Sequence, residues 1–301
     1  MRNEFVNTLL EAARKDSSIV LITGDLGYGV LNNFQNELPK QFINSGVAEQ
    51  SMMGMAAGIA STGKRVFVYS IGNFPTLRCL EQIRNDVCLM NNSVVIVSVG
   101  AGYSYGSQGY THHALEDIAI IRALPNMEVV VPADNLETRI LTNYLIHSNK
   151  PSYLRLGKSG EGSIHKIKPL INYGKFIELC SGKDGTIIFI GSIGSIALIA
   201  RQTLLILGLE IAVVSAPFVS CIDINYLKSR VALGPIVTLE EHSFRGGFGS
   251  AILESLSLNN LIGNVKMVAS YQENLSQIGS QEYLRRKNGL TVENIVSKFI
   301  P

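Results

Sequence analysis

Tryptophan is absent from the 301 residues, and cysteine (four) and proline (nine) are sparse. Cys79, Cys88, Cys180 and Cys221 are scattered, with no CxxC pair. That spacing excludes a disulfide scaffold and a cysteine-rich metal site, and suits reduced thiols in a cytoplasmic protein. Long apolar runs are also missing. The most apolar stretches, 186–199 and 203–215, are interrupted by Gly, Ser and Glu. They fall short of the roughly 20 residues that span a bilayer, so no membrane partner is expected. The start, MRNEFVNTLLEAARKD, has acidic residues and a helical apolar spacing in place of the unbroken apolar segment of a signal peptide. Neither sign of charge dominates: 26 basic residues face 24 acidic ones, for a net charge of +2. A nucleic-acid partner would call for a dense basic patch, and none is present.

What is present is core-forming material. Hydrophobic residues make up 46% and charged residues 17% of the chain, and 28 glycines provide for tight turns. This composition excludes global disorder, and the length accommodates two domains. In the first half, short β-branched runs alternate with helical patterns. Strands are expected at 19–22, 42–43, 66–69, 94–99, 128–131 and 152–155, with helices at 3–14, 49–62 and 76–90. Such alternation predicts a mostly parallel sheet covered on both faces. The 49–62 helix is small and apolar on nearly every side, hence buried. The stretch GKSGEGSIHKIKPL has no helical period and reads as a linker. A second α/β pattern follows, with strands at 186–191, 210–214 and 236–239 and helices at 194–207 and 249–257. The fold class is therefore α/β with two doubly wound domains, at 1–160 and 183–301, joined by a linker at 161–182.

Three features carry possible chemistry. Asn44-Ser45-Gly46-Val47-Ala48-Glu49-Gln50 ends a strand and opens the buried helix. A carboxylate there is either an N-terminal acid serving the helix dipole or a ligand group. Tyr69-Ser70-Ile71-Gly72-Asn73-Phe74-Pro75 places an aromatic at a strand-to-helix turn, for core packing or for a flat ligand. Gln108-Gly109-Tyr110-Thr111-His112-His113 puts two histidines in a glycine-rich loop. Neighbouring side chains in an extended segment point to opposite sides, so one of the two faces a given site. No metal ligand set is suggested by spacing. Glu116 and Asp117 read as a first helical turn, Glu240-Glu241-His242 as a strand end where a site is possible but dimer packing and helix capping are expected, and His147 and His165 as surface or linker residues.

Together these segments resemble a known family. SGVAEQSMMGMAAGIASTGKRVFVYS is similar to the aminopyrimidine-binding segment of transketolases, deoxyxylulose-phosphate synthases and 2-oxoacid dehydrogenase β subunits. QGYTHHALEDIAIIRALPNMEVVVPAD resembles the transketolase stretch DGPTHQ…EDIA…RALPN…VPAD, and VTLEEHSFRGGFGSAILESL resembles the transketolase C-terminal domain. The resemblance spans essentially the whole chain, which looks like the C-terminal section of a split transketolase. It implies a thiamine-diphosphate pyrimidine-binding domain followed by a transketolase-type C-terminal domain. Glu49 matches the glutamate that hydrogen-bonds N1′ of the aminopyrimidine, favouring the imino tautomer that deprotonates the thiazolium. Phe74 matches the stacking aromatic, although its loop is one residue longer, which leaves Tyr69 as a second candidate. Arg78 matches a cofactor-site arginine, His112 the substrate-facing histidine, and Lys158 an arginine that binds substrate phosphate.

Two departures stand out. Gln108 replaces the family's aspartate and His113 its glutamine, which points to a modified sugar. The family's Gly-Asp-Gly diphosphate motif has no match: Gly182-Lys183-Asp184-Gly185 and Gly24-Asp25-Leu26-Gly27 both depart from it. The resemblance then implies a partner chain, an N-terminal section that carries the motif and binds most of the diphosphate and its Mg²⁺ or Ca²⁺. A dimer of heterodimers is the simplest closed assembly. The expected activity is two-carbon ketol transfer between sugars. A 2-oxoacid or acetoin dehydrogenase β subunit and a non-catalytic scaffold are the alternatives.

Overall fold

The computed structural model describes residues 1–158, 160–271 and 275–300. In the first half, helix α1 (Arg2–Ala13) leads to β1 (Ile19–Thr23), α2 (Asn32–Glu37), β2 (Phe42–Asn44), α3 (Glu49–Ala60) and β3 (Arg65–Ile71). Helix α4 (Leu80–Gln82), β4 (Val94–Val99), α5 (Asp117–Ile121), β5 (Glu128–Val130), α6 (Asn135–His147) and β6 (Ser152–Leu156) follow. The second half comprises β7 (Ile177–Cys180), β8 (Thr186–Phe189), α7 (Gly194–Ile206), β9 (Ala212–Ser215), α8 (Ile224–Arg230), β10 (Ile236–Ser243), α9 (Phe248–Leu258), β11 (Val265–Ser270), α10 (Gln281–Lys287) and α11 (Val292–Val296).

The first sheet is six-stranded, ordered β2-β1-β3-β4-β6-β5, with parallel pairing throughout. All six residues of β4 are buried, as helices on both faces require. Register aligns the carboxyl ends: Thr23 lies opposite both Asn44 and Tyr69, and Ile71 lies opposite Val99. The loops leaving β2, β3 and β4 therefore start side by side. The second sheet is ordered β11-β10-β8-β9-β7, parallel except for β7, which runs antiparallel to β9.

Several elements differ from the sequence expectation. Helix 76–90 is a 3₁₀ turn (Leu77–Cys79), the short α4 and a π-helical stretch (Ile83–Leu89). Strand β7 lies inside the segment read as a linker and forms the edge of the second sheet. His165, expected as a surface or linker residue, lies in the linker segment but is docked: its side chain is 7% exposed, with Nδ1 3.0 Å from Asp134 Oδ2 and Nε2 3.6 Å from Glu137 Oε1. Burial works against the charged imidazole, but the Asp134 bond and Glu137 outweigh it and raise its pKa. The two halves also share main-chain pairing. Val131 N donates to Pro217 O and Val219 N to Val129 O, so the segment after β9 continues along the β5 edge.

Candidate functional site

Glu49 opens α3 directly above the carboxyl end of β2. The turn before it is set by local polar contacts. Ser45 N donates to Thr23 O (2.9 Å), and Asn44 Oδ1 accepts from Asp25 N and Gly46 N (both 3.0 Å). Gly46 adopts φ +72°, a left-handed conformation that glycine enters at little cost. The result is a carboxylate only 7% exposed at the mouth of an apolar helix. Among the described residues its ion-pair partner is Arg78, whose Nη1 donates to Glu49 Oε1 at 2.9 Å. The same guanidinium lies over the ring of Phe74, 4.0 Å from its centroid. Arg78 is half exposed, so its long side chain reaches the carboxylate from the rim.

Phe74 stands on the loop after β3. Its position is secured by Phe74 N donating to Ile71 O (2.9 Å), and by Asn73 Nδ2 donating to His113 O (2.7 Å). Asn73 thus ties the aromatic loop to the histidine loop. That role has no signal in the sequence, because its partner is 40 residues away. His112 meets the edge of Phe74 at 5.2 Å between centroids, and its Nδ1 lies 3.0 Å from Thr111 Oγ1. Partial burial, with the neighbouring His113 and Arg78, lowers its pKa below the ordinary imidazole value. At pH 7 it is a neutral ring able to accept or donate one proton. Glu49, Arg78, Phe74 and His112 therefore form one continuous cluster at the carboxyl ends of parallel strands, where ligand sites of open α/β sheets lie.

Four other expected residues fall elsewhere. Tyr69 is a correction. Strand alternation places it on the same face as Phe67, and its ring stacks on Phe5 at 6.3 Å, 2% exposed in the core. Phe74 is left as the aromatic beside Glu49. His113, expected to add a basic group beside the substrate, is 2% exposed and turned inward. Its ring meets the edge of Tyr103 at 5.2 Å and its Nε2 lies 3.3 Å from Gly106 O. Lys158 lines a cleft of about 620 Å³ with residues of the second half, among them Ser195, Gln281 and Arg286. Gln108 lies exposed on the outer turn of the histidine loop. Gly182-Lys183-Asp184-Gly185 forms the turn between β7 and β8, where Asp184 Oδ2 accepts from Glu210 N at 2.8 Å.

Beneath the cluster lies a buried charge network. Arg155 Nε donates to Asp117 Oδ2 (2.6 Å) and Nη2 to Asp117 Oδ1 (3.2 Å), with both side chains almost fully inaccessible. Arg155 Nη2 also donates to Ala114 O (2.7 Å) and Glu241 O (3.1 Å), and Tyr153 OH to Asp117 Oδ2. Burial alone would raise the Asp117 pKa, but Arg155 and His242 outweigh it and hold it below the usual carboxylate value. Glu240 caps a helix, the capping part of the expected packing-and-capping role. Its carboxylate accepts from Phe248 N (2.7 Å) and Gly249 N (2.8 Å) at the start of α9. Glu241 and His242 are internal and buried.

Residues 1–160 match the family described as "Transketolase, pyrimidine binding domain", and residues 174–295 match "Transketolase, C-terminal domain". Members of this family depend on thiamine diphosphate. The chain is 37% identical to one of the subunits of the apulose-4-phosphate transketolase of Phocaeicola vulgatus, over 93% of this chain and 90% of that one. It is 32% identical to the 6-deoxy-6-sulfo-D-fructose transketolase subunit of a Clostridium species, over 98% and 92%. A solved structure described as a split gene transketolase, inactive beta4 tetramer, superposes with a TM-score of 0.90 at 34% identity, covering 99% and 96%. Among the described residues, no helix is long and apolar enough to cross a membrane.

Proposed function

Because the chain belongs to the transketolase family, we propose that it is the pyrimidine-binding and C-terminal half of a two-chain transketolase, moving a two-carbon ketol unit between sugars. The observation that carries this reading is the triplet Glu49, Arg78 and Phe74. A planar cation already stacks on Phe74 while bonding the buried carboxylate. An aminopyrimidine ring makes the same two demands, a flat face to stack on and a carboxylate to bond. The guanidinium acts as a stand-in for the ring, which supports the fit of these residues to the group.

When bound, thiamine diphosphate supplies the electron sink for cleaving and forming the carbon–carbon bond. The chain supplies position and proton handling. Glu49 accepts a hydrogen bond from the ring through a carboxylate largely withdrawn from water. Phe74 fixes the ring plane. His112, neutral and at the rim, holds or moves a proton at a sugar hydroxyl. The diphosphate and its Mg²⁺ or Ca²⁺ belong to the partner, an N-terminal section with the Gly-Asp-Gly motif, and the active site is shared between chains. Gln108 in place of the family aspartate, on the exposed outer turn of the histidine loop, supports a phosphorylated or otherwise modified sugar. The apulose-phosphate and sulfofructose enzymes among its relatives agree with that.

Arg78 must leave the triplet for the ring to enter, which gives a direct test. With 4-amino-5-hydroxymethyl-2-methylpyrimidine as probe, Arg78→Ala binds about three- to tenfold more tightly than the parent, the weight of one exposed ion pair plus one cation–π contact. Guanidinium chloride competes with the probe in the variant and not in the parent. Equal affinity in both proteins, with no competition, contradicts the fit.

A further inference from the structure

We infer that the C-terminal domain positions His112, and that Glu241 is the positioning residue through which it does so. The inference rests on His112 being a site residue. The loop that carries His112 runs from Gly100 to Ala114 and is closed at its base by Gly102 N donating to Ala114 O and Ala114 N to Gly102 O (both 3.0 Å). Its own regular structure is limited to two 3₁₀ turns, Gly106–Gln108 and Tyr110–His112. The first domain holds its two ends, through Leu156 O accepting from Gly100 N and Ala101 N and through Asn73 and Arg155 donating to His113 O and Ala114 O; its middle rests on the second domain.

Glu241, on β10, has a side chain 7% exposed, with its carboxylate set against the loop. Its Oε1 accepts from Tyr103 N at 2.6 Å, a charge-assisted bond to loop backbone. Gln281 Nε2 donates to both Glu241 oxygens (3.0 and 3.2 Å) and to Ser104 Oγ of the loop (3.3 Å). Arg285 Nε donates to Glu241 Oε2 at 2.6 Å and neutralises it. The loop is shaped for this approach. Gly102 holds φ +60°, and a Cβ there would stand 2.6 Å from Glu241 Oε1. A Cβ on Gly106 would meet Leu284 Cδ1 at 2.5 Å, so α10 forms the rest of the floor.

From this floor the contacts run on to the candidate site. Tyr103, held by Glu241, packs its ring against His113, and His113 O accepts from Asn73 on the Phe74 loop. His112, the next residue, meets Phe74. Loss of the Glu241 carboxylate loosens Tyr103 and lets His112 move out toward water, while Glu49, Arg78 and Phe74 keep their own contacts. None of those three touches Glu241.

The test is proton NMR titration of the histidine rings in the full chain, with His112 assigned by its loss in His112→Asn. In Glu241→Ala the His112 midpoint rises toward free imidazole as the ring gains water. Removing a negative charge without movement would lower that midpoint, so the upward direction reports displacement. Gln281→Ala moves His112 in the same direction by less, and Glu241→Gln, whose amide oxygen still accepts from Tyr103, stays nearer the parent. If Glu241→Ala does not fold, the other two variants carry the test. An unchanged or lowered His112 midpoint across the folded variants, with only a lower melting temperature, overturns the inference. Failure of cofactor binding would overturn the proposed function and leave this titration result standing.

Discussion

Glu49→Gln lowers ketol transfer by the assembled enzyme by about 10²–10⁴-fold, the span associated with removing a positioned proton-transfer group. The substitution keeps the shape and an oxygen able to accept from Arg78, so the helix start and the Arg78–Phe74 stack remain. It removes the group able to take a proton at the ring nitrogen. The deficit is expected in kcat, because in the proposed site Glu49 faces the cofactor ring and leaves the sugar to other residues. Steady-state assay with the partner chain present measures this. Full turnover by the variant would favour the scaffold reading, in which the fold is kept and the chemistry is gone.

The second large effect is on stability. Asp117→Ala leaves Arg155 buried with two carbonyl acceptors and no carboxylate bonded to it, Glu241 acting only through space. Breaking a buried pair in this way costs about 3–5 kcal/mol, and for a protein of this size the melting temperature falls by on the order of 10 °C. Replacing both partners with leucine costs less than the sum of the single changes, because no charge is stranded. The acid limb gives a further reading. The folded-state pKa of Asp117 lies below its unfolded value. Its contribution is therefore complete above about pH 4 and is lost as pH falls through the lower folded value. In Asp117→Ala that loss is absent, so stability falls less steeply below pH 4 than in the parent. Thermal melts between pH 3 and pH 7 check both predictions. A melting temperature unchanged at pH 7 would show that the network contributes little.

Much of this arrangement is visible in the residues themselves. The β-branched runs of β1, β3 and β4 carry their burial in their composition, and Gly46 before Glu49 marks a turn into a helix. Tyr69 was also legible: it sits two residues after Phe67, and strand alternation sends both into the core. Helix α6 announces itself with Asp134 followed three residues later by Glu137, and Asp134 Oδ1 does accept from Glu137 N. Other features had no local signal. The π-helical turns at Ile83–Leu89 follow no apolar period that distinguishes them from an α-helix. Edge strand β7 is short, partly exposed and flanked by glycine, so it reads as linker. Glu241 looks like any strand-end acid, because its partner Tyr103 is 138 residues away. Contacts of that range decide the site, and composition along the chain does not encode them.

The central claim is that this chain holds the pyrimidine half of a cofactor site whose diphosphate half lies on another chain. Calorimetry with thiamine diphosphate and Mg²⁺ tests it most directly, first on the chain alone and then on its mixture with the N-terminal section. Saturable binding is expected in the mixture, and none of comparable strength in the chain alone. Tight binding by the chain alone would contradict it, since the diphosphate and its cation would then have a home among these residues.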